Sequence, residues 1–316
     1  MIEVVVTSRN NEALDIYSYE LACAQGGELP GFSAGAHIDV HLPSGLIRQY
    51  SLCNHPKERH RYLIGVLKDV ASRGGSRSMH EQVNSGDRLF ISEPRNLFPL
   101  VAEGRRSLLF AGGIGITPIL CMAEHLAHNG ADFELHYCAR SSERAAFVER
   151  LKGASFAGRV HLHFDEEVDS RLDAVKVLVN PQPGVHLYVC GPSGFMQHVL
   201  DSAKAQGWSD EQLHREYFAA APVATSADGA FQVKLASSGQ VFDIPADKTV
   251  AQVLENHGVE IALSCEQGIC GTCLTRVLEG VPEHRDLFLT EEEQAANDQF
   301  TPCCSRAKSK LLVLDL

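Results

Sequence analysis

The chain has 316 residues, with 28 Lys and Arg against 40 Asp and Glu, for a formal charge of −12. That balance argues against nucleic acid as a partner. No apolar run reaches the ~18–20 residues of a membrane span, and Met1–Val6 lacks the basic start and apolar core of a secretion signal. With 44% hydrophobic and 22% charged residues the composition is that of an ordinary globular protein, and the length calls for two or three domains. Ten cysteines without a secretion signal fit a cytoplasmic setting, where thiols serve as ligands or core residues.

In chain order, residues 1–102 predict an antiparallel β-barrel. Short runs such as Ile2–Thr7, His37–His41, Leu46–Leu52, Arg61–Val66 and Arg88–Ile91 are parted by Gly, Pro, Asn and Ser clusters. Residues 103–222 alternate apolar strands (Ser107–Ala111, Asp132–Cys138, Val160–Phe164, His186–Cys190) with helical patterns from Pro118, from Ser142 and after Cys190. This predicts an α/β domain with a parallel sheet. The stretch Ala219–Gly229 reads as a linker. Residues 223–316 predict a small α+β domain, with strands Phe231–Leu235, Gln240–Ile244, Leu274–Leu278 and Leu311–Leu316 and a helix near Val250–His257.

Strand ends and glycine-rich loops suggest phosphate sites. Arg48-Gln49-Tyr50-Ser51 ends one barrel strand, and the loop from Lys68 through Arg73-Gly74-Gly75-Ser76 offers backbone N–H groups and positive charge. Together they suit a flavin phosphate, with Tyr50 and Ser51 along the isoalloxazine. Ala111-Gly112-Gly113-Ile-Gly115-Ile-Thr117-Pro118 predicts a strand, a glycine turn, and a helix capped by Thr117 with Pro118 at its first position. Such a terminus favours a pyrophosphate. Two further strand ends, Arg140-Ser141 and Cys190-Gly191-Pro192, lie where open α/β sheets bind ligands, and Cys190 reads equally as a small buried residue capping its strand. The fifteen histidines show no metal-ligand spacing.

Cys265, Cys270 and Cys273, answered by Cys303 after twenty-nine residues, give the C-x4-C-x2-C…C spacing of a plant-type [2Fe–2S] loop. Zinc is the competing reading, but zinc sites favour two C-x2–4-C pairs, and only Cys270 and Cys273 form one. The doublet Cys303-Cys304 leaves the fourth ligand ambiguous, and the spacing selects Cys303. Acidic residues Glu279, Glu283, Asp286, Glu291, Glu292, Glu293 and Asp298 are expected to form a surface around this loop. It would suit a steered contact with a basic partner, or simply keep the domain solvated.

These motifs, in this order over essentially the whole chain, resemble the phthalate dioxygenase reductase and vanillate demethylase reductase branch of Rieske-type oxygenase reductases. Glu216-x-Phe218 adds to the match. The resemblance implies FMN, NADH as donor, a C-terminal ferredoxin-like (β-grasp) domain and a Rieske-type oxygenase as acceptor. It places Ser51 and Thr117 near the flavin, Cys190 by the nicotinamide, and Phe218 near the isoalloxazine. Ser51, Thr117 and Cys190 are then the candidate catalytic residues. Candidate cofactor contacts run through Arg48, Gln49, Tyr50, Lys68, Gly74, Gly75, Ser76, Gly112, Gly113, Gly115, Pro118, Arg140, Ser141, Gly191 and Pro192. Arg140 is also placed to pair with the 2′-phosphate of NADPH. Two other readings stand beside this one, a self-sufficient flavin enzyme acting on a small molecule and a redox carrier or sensor with a vestigial nucleotide site.

Overall fold

The computed structural model describes residues 1–69, 74–218 and 229–316, and the chain divides into two compact units, Met1–Tyr217 and Phe218–Leu316. Arg73, most of the expected linker and a domain boundary at 222/223 lie outside the described residues.

The first unit begins with six antiparallel strands, β1 (Ile2–Ala13), β2 (Ile16–Cys23), β3 (His37–His41), β4 (Ile47–Ser51), β5 (Tyr62–Leu67) and β6 (Arg88–Ile91), with α1 (Gly75–Gln82) between the last two. They run in the order β4-β3-β6-β1-β2-β5. The ends of the sheet meet just beyond β4, where Leu52 bridges Ile64 and Cys53 N–H donates to the Leu63 carbonyl at 2.9 Å. Val4, Val6, Tyr19, Leu21, Ile38, Val40, Ile64 and Ile91 fill the interior, and Met79 and Val83 from the α1 segment pack against them. Strand β2 is missing from the sequence reading because both of its faces are largely covered, which blurs the alternation that marks a half-exposed strand.

A five-stranded parallel sheet follows, built from β7 (Arg106–Gly112), β8 (Asp132–Ala139), β9 (Val160–Phe164), β10 (Val185–Cys190) and β11 (Leu213–Glu216) in the order β11-β10-β7-β8-β9. Its helices are α2 (Ile116–His128), α3 (Val148–Gly153), α4 (Ala174–Val177) and α5 (Ser193–Ala205). The helix expected from Ser142 is only a 3-10 turn there, and α3 starts at Val148. Barrel and parallel sheet share one core. Ile16, Cys53, Leu63 and Phe98 pack in the same cluster as Leu109, Ile119, Leu120, Met122 and Phe147.

The second unit holds β12 (Phe231–Leu235), β13 (Val241–Ile244), α6 (Val250–Asn256), β14 (Thr275–Glu279), β15 (Pro282–Glu283), α7 (Glu291–Ala296), β16 (Gln299–Phe300), β17 (Arg306–Ala307) and β18 (Leu311–Leu314). Its main sheet runs β13-β12-β18-β14-β16, with β12 and β18 parallel and α6 packed beside them. The Thr249 hydroxyl accepts from Gln252 N–H while the Gln252 side chain accepts from Thr249 N–H, a reciprocal cap that starts α6 where the sequence places it.

Candidate functional site

On β4, side chains alternate between faces, so Arg48 and Tyr50 share one side and Gln49 takes the other. Gln49 is drawn away from Arg48, with Nε2 donating to Asp39 Oδ1 at 3.2 Å and lying 3.3 Å from His37 Nε2. Arg48 runs over the start of α1. A Cβ added to Gly75 would sit 2.6 Å from Arg48 Cγ and 2.7 Å from its Nε, so a larger residue there would push the Arg48 side chain aside. Gly74 caps α1 in the left-handed region at φ 97°, and no acidic residue stands in the first turn. The glycine pair therefore opens a helix, where its sequence suggested only a loop. Helix N–H groups beside an arginine fit a phosphate. Lys68 points elsewhere, with Nζ 3.0 Å from Glu81 Oε1, and the Ser76 hydroxyl accepts from Asp69 N–H at 3.2 Å.

Strand β7 ends at Gly112 and turns through a 3-10 segment, Gly113–Gly115, into α2. The helix is capped by Gly115 and not by Thr117, whose hydroxyl donates back to the Ile114 carbonyl at 3.0 Å; Pro118 is the third helical residue. The reason is close approach. A Cβ on Gly115 would lie 2.2 Å from the Cys190 carbonyl oxygen, so a tight glycine turn brings the helix start against the end of β10. Among the described residues no side chain caps this terminus, and its first turn carries no acid, which leaves it suited to an anion. Gly112 and Gly191 approach each other in the same crossing, with Pro192 and Phe195 against Gly112. Arg140 is exposed at the end of β8, with Ser141 next to it.

The carboxyl ends of β10 and β11 bring in a group that sequence reasoning passed over. Cys190 and Glu216 are register partners, and Glu216 Oε2 accepts from Ser51 Oγ at 3.4 Å. Burial pushes the Glu216 carboxyl up to about 8, the Ser51 hydrogen bond opposing it. Cys190 is fully buried, and burial, with Glu216 adding to it, drives its thiol well above the ordinary range. It is a neutral packing group here and not a nucleophile. Thr117 faces β5, where a Cβ on Gly65 would meet its Cγ2 at 2.8 Å. Ser51, Thr117, Cys190 and Glu216 thus lie where barrel and parallel sheet meet. The only signal for Glu216 was its place in Glu216-x-Phe218. Phe218 opens the second unit and is 38% exposed.

In the second unit Cys265, Cys273 and Cys303 are buried and Cys270 is partly so. Gln267 N–H donates to Cys265 Sγ at 3.3 Å and Thr272 N–H to Cys270 Sγ at 3.5 Å, so loop amides already point at sulfur. A hydrogen bond between Cys265 and Cys270 raises the first thiol and lowers the second to about 5. A bond between Cys303 and Cys273 divides that pair in the same sense, raising Cys303 and lowering Cys273. Gly271 has φ 68°, and a Cβ there would overlap the Phe288 ring at 2.3 Å, so the turn must be glycine. Soft thiolate donors on an amide-lined loop fit an iron–sulfur centre. The neighbouring Cys304 is engaged by Thr301, Oγ1 to Sγ 3.2 Å.

Asp286 is not part of the acidic surface. It is buried, with Oδ2 accepting from Leu289 N–H at 2.8 Å and Oδ1 from Ser305 Oγ at 3.4 Å, and so ties the segment after β15 to the one after Cys303. Glu291, Glu292 and Glu293 form the first turn of α7, where the helix dipole favours them.

A family model described as a 2Fe-2S iron-sulfur cluster binding domain matches residues 233–308. A second, described as the N-terminal domain of dimethylamine monooxygenase subunit DmmA-like proteins, matches 92–213. The chain is 73% identical over 317 residues to a vanillate O-demethylase oxidoreductase of Pseudomonas putida, covering 100% of both chains. The chain belongs to the vanillate O-demethylase oxidoreductase and phthalate dioxygenase reductase family. A solved phthalate dioxygenase reductase, described as a modular structure for electron transfer from pyridine nucleotides to [2Fe-2S], superposes with a TM-score of 0.80 at 39% identity, over 100% of this chain and 98% of that one. Within the family, a tetrachlorobenzoquinone reductase of Sphingobium chlorophenolicum is 44% identical over 319 residues, 100% of this chain and 98% of the relative. Among the described residues no helix is long and apolar enough to cross a membrane.

Proposed function

We propose that this chain is the NADH-dependent reductase component of a two-component Rieske-type oxygenase in the cytoplasm, and that the oxygenase removes the methyl group of vanillate, an aryl ether. The observation that carries this reading is the 73% identity to the Pseudomonas putida relative along the whole of both chains. When bound, FMN links a two-electron hydride donor to one-electron iron–sulfur chemistry. Arg48 and the start of α1 (Gly74, Gly75, Ser76) hold its phosphate, while Tyr50 and Ser51 flank the ring. The turn Gly112–Pro118 takes the NADH pyrophosphate, Arg140 and Ser141 border the adenine ribose, and Cys190, Gly191 and Pro192 wall the nicotinamide. At neutral pH Glu216 is held protonated beside Ser51, where it keeps charge out of the transfer site. Cys265, Cys270, Cys273 and Cys303 hold the cluster. In domain terms this assigns 1–102 to flavin, 103–222 to nucleotide and 223–316 to the cluster.

The test mixes the purified protein with the oxygenase from its own gene neighbourhood and follows NADH-dependent formaldehyde release from vanillate. Turnover with NADH, with FMN recovered on acid extraction, is the expected result. FAD in the extract, or equal efficiency with NADPH, overturns the cofactor assignment. The quinone reductase relative favours a second reading, direct reduction of a small molecule. Quinone reduction faster than delivery to the oxygenase would favour that reading.

A further inference from the structure

The parallel sheet carries a second cluster of donor atoms that the electron path does not use. Glu134 and His136 on β8 and His161 on β9 place one donor atom each within 4.8 Å of the others. His136 is only 4% exposed, with its ring stacked on Phe110 at 5.1 Å and on His161 at 4.9 Å.

A chain of hydrogen bonds fixes which nitrogen of His136 carries the proton. The Ser170 carbonyl can only accept, so His163 Nδ1 donates to it at 2.7 Å and His163 Nε2 is left with a lone pair. His136 Nδ1 lies 3.1 Å from that lone pair and donates to it. His136 Nε2 is therefore the unprotonated nitrogen, and it is buried with no hydrogen-bond partner among the described residues. A buried acceptor without a partner costs stability, and a metal ion relieves that cost.

We infer that Glu134, His136 and His161 bind a zinc ion, with a fourth position open to solvent. Two nitrogens and one carboxylate oxygen are a zinc donor set. His161 Nε2 lies 3.3 Å from Glu134 Oε1, close to the ~3.3 Å edge of a tetrahedron with metal–donor bonds of ~2.0–2.1 Å. Arg106 occupies the other oxygen of that carboxylate, with Nη2 2.5 Å from Oε2, and orients Oε1 toward His161. The His161 side chain is 44% exposed and that of Glu134 33%, which leaves an entry path. His163 supports the site from behind, since the second nitrogen of a metal-bound histidine ordinarily donates to such a partner. Because β9 is the edge strand, the ion would staple it to β8.

The probe is zinc itself, added to the full-length protein with flavin and iron in place. After dialysis against micromolar Zn²⁺, the His161→Ala protein is expected to hold one equivalent less zinc than the unchanged protein at equal iron content. His161 is exposed, so that variant folds. A second variant, His163→Phe, removes no donor yet is expected to weaken zinc binding roughly 10–100-fold in calorimetric titration, because the tautomer of His136 is no longer fixed. Equal zinc uptake by all three proteins, or uptake by none, overturns the proposal.

Discussion

Replacing Glu216 with Gln keeps a hydrogen-bonding partner for Ser51 and removes the titration. In the native protein the carboxyl is raised from 4.5 to about 8 by burial. The folded state therefore holds a proton that the unfolded state releases. The resulting stabilisation is complete below about pH 4.5 and is lost as pH rises through about 8. Each tenfold difference in proton affinity between the two states is worth ~1.4 kcal/mol, which sets a ceiling of ~4–5 kcal/mol. The residue is only half-buried, and solvent at the rim reduces this to ~2 kcal/mol. A little over half of that, ~1 kcal/mol, is lost between pH 6 and pH 9, which for a unit of this size is a fall of ~2–4 °C in melting temperature. The assay is thermal unfolding of the first unit, followed by flavin fluorescence, for both proteins across that range. Hydride transfer from NADH is measured in parallel by stopped flow. The native protein should show both the fall and a kinetic inflection near pH 8, while Glu216→Gln should show neither. The same inflection in the Gln protein would refute the assignment, because the titrating group would then lie elsewhere.

Cys273→Ser should abolish reduction of the oxygenase while leaving flavin reduction by NADH within about twofold, since the cysteines lie in a separate compact unit; stopped flow reads both steps. Gly115→Ala forces a methyl into the Cys190 carbonyl and should cost ~1–3 kcal/mol along with weakened NADH binding, measured by calorimetry and NADH titration. The acidic first turn of α7 predicts that association with the oxygenase slows as salt rises from 0.1 M to 1 M, where the Debye length falls from ~10 Å to ~3 Å. A coupled rate that stays flat where association is limiting would leave those acids a solvating role only.

What is legible in the sequence follows from local chemistry. Val160–Phe164 and Phe231–Leu235 match the sequence expectation to the residue, because strict apolar–polar alternation over five residues marks a strand by itself. The cysteine loop is legible because its spacing is a covalent constraint on one segment. Features that depend on distant contacts are not. The α2 cap lies at Gly115 instead of Thr117 because β10 crosses there, which no local preference encodes. Asp286 looks like one more surface acid until the segment carrying Ser305 closes over it. Glu216 and the trio of Glu134, His136 and His161 become sites only once strand pairing sets them side by side.

The single core beneath barrel and parallel sheet bears on how this molecule can be recombined. A cut at 102/103 would split Phe98 and Leu63 from Leu120, Met122 and Phe147, leaving greasy faces on both fragments. Among the described residues, the second unit's core draws on Phe231 and later residues, so a cut at 217/218 leaves it whole. Chimeras that exchange the iron–sulfur unit are therefore expected to stay soluble and active toward NADH. Those that exchange the barrel alone should aggregate unless the facing helix α2 travels with it.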